Sequence, residues 1–215
     1  MLVIPAINCP DAACVAERLA VVRSLGAPWV QFDVSDGSFG NFVSWRDPMA
    51  LEREPLLSLM EGVSFEAHLM VLHPHEEAEA WLQAGASRII FHVESAYDLG
   101  ALERLTRAYD ANLMAALRPD TPIAVLRTLP GVGEVQLLAV SPGPSGQSFA
   151  KETVRRVREL SALRPDVTIE VDGGITPDTA RAVAAAGAEL VAAGSYIFES
   201  ENPHEAYEEL HGTAD

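Results

Sequence analysis

The chain has 215 residues, 48% of them hydrophobic, and a formal net charge of −16. That size and composition suit one domain spanning residues 1–215 with a sizeable core, and the charge argues against nucleic acid and anionic membrane surfaces, which both need a basic footprint. No run of roughly eighteen apolar residues occurs, and Met1-Leu2-Val3 enters a strand without a basic leader, so the expectation is a soluble, cytoplasmic protein.

Residues 2–8 read as a first strand, and Asp11 caps a helix that runs to Gly26 with apolar residues recurring every three or four positions. Cys9 and Cys14, the only cysteines, offer neither a disulfide framework nor a tetrahedral zinc site. Cys14 reads as helix packing and Cys9 as a buried thiol after the first strand, which fits a reducing compartment. Residues 29–34 form a second strand, and residues 36–48 a long loop carrying Phe39, Phe42 and Trp45. Loops of that length in compact domains are commonly functional, although the aromatics could equally cover a rim of the fold.

The alternation then continues. A short helix at 55–61 is followed by strand 64–71, helix 73–84, strand 88–93, helix 99–110 and strand 112–117. Next come a short helix at 123–129, strand 135–140 and helix 152–163. The stretch 166–198 holds strand 168–171, an Asp172-Gly173-Gly174 turn, a helix opened by Thr176-Pro177-Asp178, strand 189–192 and a Gly194-Ser195 turn; residues 203–210 supply the last helix. Strands separated by helices run parallel. Eight such units without a linker predict a closed (β/α)8 TIM barrel better than an open sheet, which usually stops at five or six strands. In such barrels phosphate often sits after strands seven and eight, where these glycines lie.

Parallel barrel strands are buried on both faces and should be nearly all Val, Ile and Leu, so polar exceptions carry information. Gln31, Asp33 and Ser35 share one face of strand two; Glu66, His68 and Met70 share one face of strand three. Strand four carries His92 and Glu94, strand seven Glu170 and Asp172, and strand one places Ala6 and Asn8 together. If those faces point into the barrel mouth, Asp33, His68 and Asp172 converge as donors for a divalent metal such as Zn, Mn or Fe(II), with Gln31 offering a weaker amide oxygen. Two carboxylates can also invert a stereocentre, one removing a proton alpha to a carbonyl and the other returning one to the opposite face. Lys151, the only lysine, falls beyond a loop and gives no Schiff-base candidate inside a strand.

Seven blocks in order carry a resemblance along almost the whole chain: IPAIN-CPD, QFDVSDGSF, AHLMV, FHVES, VSPGPSGQSF, IEVDGGI and AGSYIF. The chain resembles the ribulose-phosphate 3-epimerase family. That resemblance implies a (β/α)8 barrel interconverting D-ribulose 5-phosphate and D-xylulose 5-phosphate. It makes Asp33 and Asp172 the acid/base pair, both also metal ligands together with His68, which lies against the substrate. It assigns phosphate to the loop Gly143, Pro144, Ser145 and Gly146, to Gly173 and Gly174, and to Gly194 and Ser195. It also implies a homo-oligomer, dimer or hexamer.

This sequence departs from the family at the reacting end. Gln31 stands where the family has a fourth metal ligand, a histidine. Ala6 replaces a serine expected to meet the substrate, and Ser35 and Ala139 replace methionines. Pro144-Ser145 replaces Phe-Gly in the phosphate loop. The readings left open are an epimerase with weakened or altered metal use, one acting on a related ketose phosphate, and a paralogue that binds a phosphosugar without turning it over. A metal-free isomerase using Cys9 has the wrong strand parity, and a decarboxylase would want a lysine that is absent.

Overall fold

The computed structural model describes residues 1–95, 97–143 and 146–212. Among these, the strands are β1 (Leu2–Ile7), β2 (Trp29–Ser35), β3 (Ser64–Met70), β4 (Arg88–His92), β5 (Asn112–Leu117), β6 (Glu134–Leu138), β7 (Thr168–Asp172) and β8 (Leu190–Ala193). They are parallel and follow one another, β1 to β8, around a closed barrel. The helices between them are α1 (Ala12–Leu25), α2 (Leu56–Met60), α3 (Pro74–Gln83), α4 (Leu99–Ala108), α5 (Glu152–Leu163), α6 (Pro177–Ala184), α7 (Ser195–Phe198) and α8 (Pro203–His211). The expected helix at 123–129 is instead a 3-10 turn over Ile123–Thr128. None of the described helices is long and apolar enough to cross a membrane. The chain divides into two compact units, Pro5–Leu113 and Met1–Ile4 with Met114–Asp215.

In the first unit, β2 and β3 pair along their full length, with Gln31 opposite Glu66 and Asp33 opposite His68. One face of β2 sends Phe32 into an aromatic cluster with Phe65, Trp81 and Trp45; ring centroids lie 5.5 Å, 5.7 Å and 6.0 Å from Phe32. Aromatic groups at these spacings bury large apolar areas and hold α3 on the sheet. Trp45 is therefore a core residue of the long loop. The other face of these strands is polar: Glu66 accepts from Arg88 Nη1 at 2.5 Å, both nearly excluded from water. Helix α1 begins where the Asp11 carboxylate accepts from the Cys14 N–H at 3.0 Å and ends at Gly26, whose φ of 66° suits a residue without Cβ.

The cysteines correct the sequence reading. Cys9 and Cys14 are joined by a disulfide across a separation of five residues, their Cα atoms 5.7 Å apart. The Asp11 cap turns the chain sharply enough to bring the first turn of α1 back over the end of β1, which spacing alone does not reveal. Loop-closure entropy for so short a ring makes the bond worth about 2 kcal/mol. Reduction, or Cys14→Ala, is expected to lower the unfolding free energy by about that amount in urea denaturation, with unchanged stability as the contrary result.

In the second unit, β6, β7 and β8 pair so that Gln136 lies opposite Glu170, Leu138 opposite Asp172, and Asp172 opposite Ala192. Gln136 Nε2 donates to Glu170 Oε1 at 2.7 Å, both side chains fully buried. The Leu2 N–H donates to the Glu189 carbonyl at 2.9 Å, which seats the start of β1 beside β8. Helix α6 opens with a capping box in which Thr176 accepts from the Thr179 N–H and the Thr179 hydroxyl accepts from the Thr176 N–H. That cap fixes where the Gly173-Gly174 turn gives way to helix.

Candidate active site

Strands β2, β3 and β4 bring five polar side chains of the first unit together. Asp33 Oδ1 lies 3.2 Å from His68 Nδ1, and Gln31 Nε2 donates to the same Asp33 oxygen at 2.9 Å while standing 3.5 Å from that imidazole nitrogen. On the far side of the ring, His68 Nε2 meets His92 Nε2 at 2.9 Å, and His92 Nδ1 meets Glu94 Oε2 at 3.2 Å. The period of two puts Gln31 and Asp33 on one face of β2, and their register with β3 sets His68 beside them. Burial is deep: His68 is 1% and His92 0% exposed, while the Asp33 side chain keeps 12%. A carboxylate accepts only, so the amide must turn its NH2 toward Asp33.

Of the expected site residues in this unit, Gln31, Asp33 and His68 are in mutual contact. Ala6 is buried and pairs with Gln31 across β1 and β2. His92 and Glu94 have no role in the sequence reading, although their shared polar face was the signal; only the packing shows that His92 bonds His68. Phe39, from the long loop, lies against His92 with 4.5 Å between ring centroids. The base of that loop is held by Asp36, which accepts from the Ser38 N–H at 2.8 Å and from its hydroxyl at 2.5 Å. Partial burial pushes the Asp36 carboxyl up, but the Ser38 hydrogen bonds and Arg46 outweigh it, leaving it below its ordinary value.

In the second unit, Asp172 ends β7 and the glycine turn follows directly. Gly173 and Gly174 have φ of 102° and 64°, a region L side chains avoid. A Cβ on Gly173 would sit 2.4 Å from Val140 Cγ2, and one on Gly174 would sit 2.6 Å from the Phe149 nitrogen. These glycines are thus required first by the chain that crosses them. A cavity of about 490 Å³ lies here, lined by Gly146, Gly174, Thr176, Ser195, Tyr196 and Glu199 among others. It gathers Gly146, Gly174 and Ser195 of the expected phosphate set, whereas Gly143, Gly173 and Gly194 are not among its lining residues. Pro144 and Ser145 lie outside the described residues. The Tyr196 hydroxyl donates to Glu209 at 2.5 Å; that bond raises the phenol to about 12, so it stays a neutral donor.

Residues 2–198 match the Ribulose-phosphate 3 epimerase family. The chain belongs to that family. It is 31% identical over 211 residues to the ribulose-phosphate 3-epimerase of Chlamydia trachomatis serovar D, covering 94% of this chain and 88% of that protein. It is 33% identical over 215 residues to the cytoplasmic isoform of ribulose-phosphate 3-epimerase from Oryza sativa subsp. japonica, covering 96% and 91%. As a member of the ribulose-phosphate 3-epimerase family, the chain is an isomerase of the epimerase type. Solved structures share the fold: 3-hexulose-6-phosphate synthase from Salmonella typhimurium superposes with a TM-score of 0.72 at 15% identity, covering 100% of this chain and 98% of that one. KGPDC from Streptococcus mutans in complex with D-R5P gives 0.74 at 13% identity, covering 99% and 96%.

Proposed function

We propose that this epimerase inverts carbon 3 of a ketose phosphate, converting D-ribulose 5-phosphate to D-xylulose 5-phosphate, with Asp33 and Asp172 as the acid/base pair. The observation that carries the reading is the Asp33 carboxylate set against His68 and Gln31 on the polar face of β2 and β3. Asp33 takes the proton from carbon 3, and electrons move into the carbonyl to give an enediolate. Asp172, starting as the acid, then delivers a proton to the opposite face, and exchange with solvent returns Asp33 to the carboxylate and Asp172 to the acid before the next turnover. Either direction balances, because one proton leaves and one returns. Backbone N–H groups around Gly146, Gly174 and Ser195 would hold the phosphate, which the net charge of −16 would otherwise repel. Gly143, Pro144, Ser145, Gly173 and Gly194 complete that set by resemblance. In a cytoplasmic setting, as for the named rice relative, the role is in pentose phosphate metabolism.

Asp33, His68 and Asp172 each offer one ligand atom of the kind a divalent cation takes. The donor set fits: two hard carboxylate oxygens and an imidazole nitrogen suit Zn, Mn or Fe(II), and three protein ligands are enough for a catalytic ion. Bound there, such an ion would neutralise charge on the enediolate oxygens. Gln31 weakens the site, since its NH2 faces Asp33 and must rotate before the amide oxygen can serve as a ligand.

Purified without chelators, the protein is expected to epimerise D-ribulose 5-phosphate in a coupled assay, to lose that activity on dialysis against chelator, and to regain it with Mn²⁺ or Zn²⁺. Gln31→His is expected to tighten metal binding tenfold or more, about 1.4 kcal/mol. Intact phosphosugar binding with neither metal nor turnover would instead favour the reading of a binding paralogue.

A further inference from the structure

We propose that Arg118 is a further substrate-binding residue of this enzyme, its guanidinium holding an oxygen at the reacting end of the substrate, where negative charge collects as the enediolate forms. The inference rests on the reading of Asp172 as one of the two proton-transfer groups. It begins with strand register. β5 pairs with β6 so that Ala116 lies opposite Gln136 and Leu117 opposite Leu137. β6 in turn sets Gln136 opposite Glu170 and Leu138 opposite Asp172. One step beyond Leu117, Arg118 comes level with Leu138 and so with Asp172. Residues two apart share a face, and so do residues paired across strands, which puts Arg118 on the face of Ala116, Gln136, Glu170 and Asp172. Neighbouring strands lie about 4.8 Å apart, so the Arg118 and Asp172 backbones are separated by about 10 Å. A long cationic side chain can reach a small ligand across that gap.

The backbone there is fixed. The Thr121 N–H donates to the Arg118 carbonyl at 3.1 Å, and buried Arg156 of α5 donates from Nη1 to the Pro119 carbonyl, so the turn after β5 is clamped directly beyond Arg118. The Arg118 side chain is partly exposed, and its Nε stands 3.9 Å from Oδ1 of the exposed Asp120. An ion pair that long and that wet holds the side chain only weakly. A guanidinium has five N–H donors, so bonds to neighbouring chain leave others for a ligand, and it stays charged at any working pH. Charge sets this residue apart. Of the eight arginines and lysines between positions 114 and 215, the others lie in the 3-10 turn, on α5 or at its ends, or on α6; Arg118 alone follows the carboxyl end of a strand. It is not among the residues lining the glycine cavity, which assigns it to the carbonyl end of the substrate and not to the phosphate. A fixed cation there stabilises developing oxyanion charge.

The test compares the parent with Arg118→Gln, Arg118→Lys and, as a control for net charge, Arg127→Gln, whose arginine is exposed in the 3-10 turn. Each is assayed for kcat and KM with D-ribulose 5-phosphate, for inhibition by inorganic phosphate, and for binding of a four-carbon phosphohydroxamate, a planar mimic of the enediolate. Arg118→Gln is expected to lower kcat by about 10²- to 10³-fold, the loss that follows removal of one donor to a developing oxyanion, and to weaken the hydroxamate by a comparable factor, while phosphate inhibition stays within about twofold. Arg118→Lys, which keeps the charge without the planar fork, is expected to fall between, and Arg127→Gln to match the parent. Unchanged kcat and hydroxamate affinity in both Arg118 variants overturns the inference, as does a loss shared equally by phosphate inhibition, which would mark a general disturbance of the fold. A parent that neither turns over D-ribulose 5-phosphate nor binds the hydroxamate would remove the epimerase reading, and this inference with it.

Discussion

Asp33→Asn and Asp172→Asn are each expected to lower the epimerisation rate by about 10²- to 10⁴-fold, the range lost with a positioned acid or base, while leaving the fold intact. Asparagine matches aspartate in volume, and at position 33 its amide oxygen can still accept from Gln31 Nε2, so the pairing of β2 with β3 need not change. What disappears is basicity toward a carbon-bound proton. With the two carboxylates serving opposite faces, as proposed, each variant should retain one half-reaction. In D₂O, one variant should exchange the carbon 3 proton of D-ribulose 5-phosphate without forming the epimer, and the other should do so only from D-xylulose 5-phosphate. Both variants turning over within a few-fold of the parent would remove the proton-transfer assignment.

Gly174→Ala is expected to combine a stability loss of about 2–4 kcal/mol with a rise in KM for the phosphosugar. Two costs add. The φ of 64° strains an L residue by about 1–2 kcal/mol, and the new methyl would lie 2.6 Å from the Phe149 nitrogen and 2.8 Å from its Cα. Those are backbone atoms, so no rotamer change relieves the clash; the segment carrying Phe149 must move. Gly146→Ala is the control, because Gly146 has φ of 84° but nothing within 4 Å of an added Cβ. It should show the conformational cost alone, about 1 kcal/mol. Thermal denaturation with steady-state kinetics separates the two, and equal losses in both variants would mean that the Phe149 segment yields without cost.

The barrel was legible because its strands obey a simple rule. Buried parallel strands are apolar on both faces, so Asp33, His68 and Asp172 stood out against Val, Ile and Leu. Their ring of neighbours was less legible. His92 and Glu94 were visible as polar residues at the end of β4, but their link to His68 depends on a 2.9 Å contact between two imidazoles on adjacent strands, and strand register is not written in either strand alone. The disulfide escaped for a related reason: a spacing of five says nothing until the Asp11 cap fixes the turn. Gly173 and Gly174 were picked out correctly as turn residues, but for an incomplete reason. Their missing side chains make room for Val140 and Phe149, residues more than twenty positions away in the sequence.

The long loop after β2 is tied at its base rather than hung between distant points. The Ser44 N–H donates to the Ser35 carbonyl at 2.9 Å, the Trp45 N–H to the Cys9 carbonyl at 2.7 Å, and the Ser35 hydroxyl to the Phe42 carbonyl at 2.7 Å. Asp36 also bridges Val43 in antiparallel fashion. The apex is fastened as well: the Leu72 N–H donates to the Ser38 hydroxyl at 3.2 Å, and the Phe39 ring centroid lies 4.5 Å from that of His92. The segment is therefore a wall secured at base and tip, and Phe39 is expected to keep its place on His92 when substrate binds.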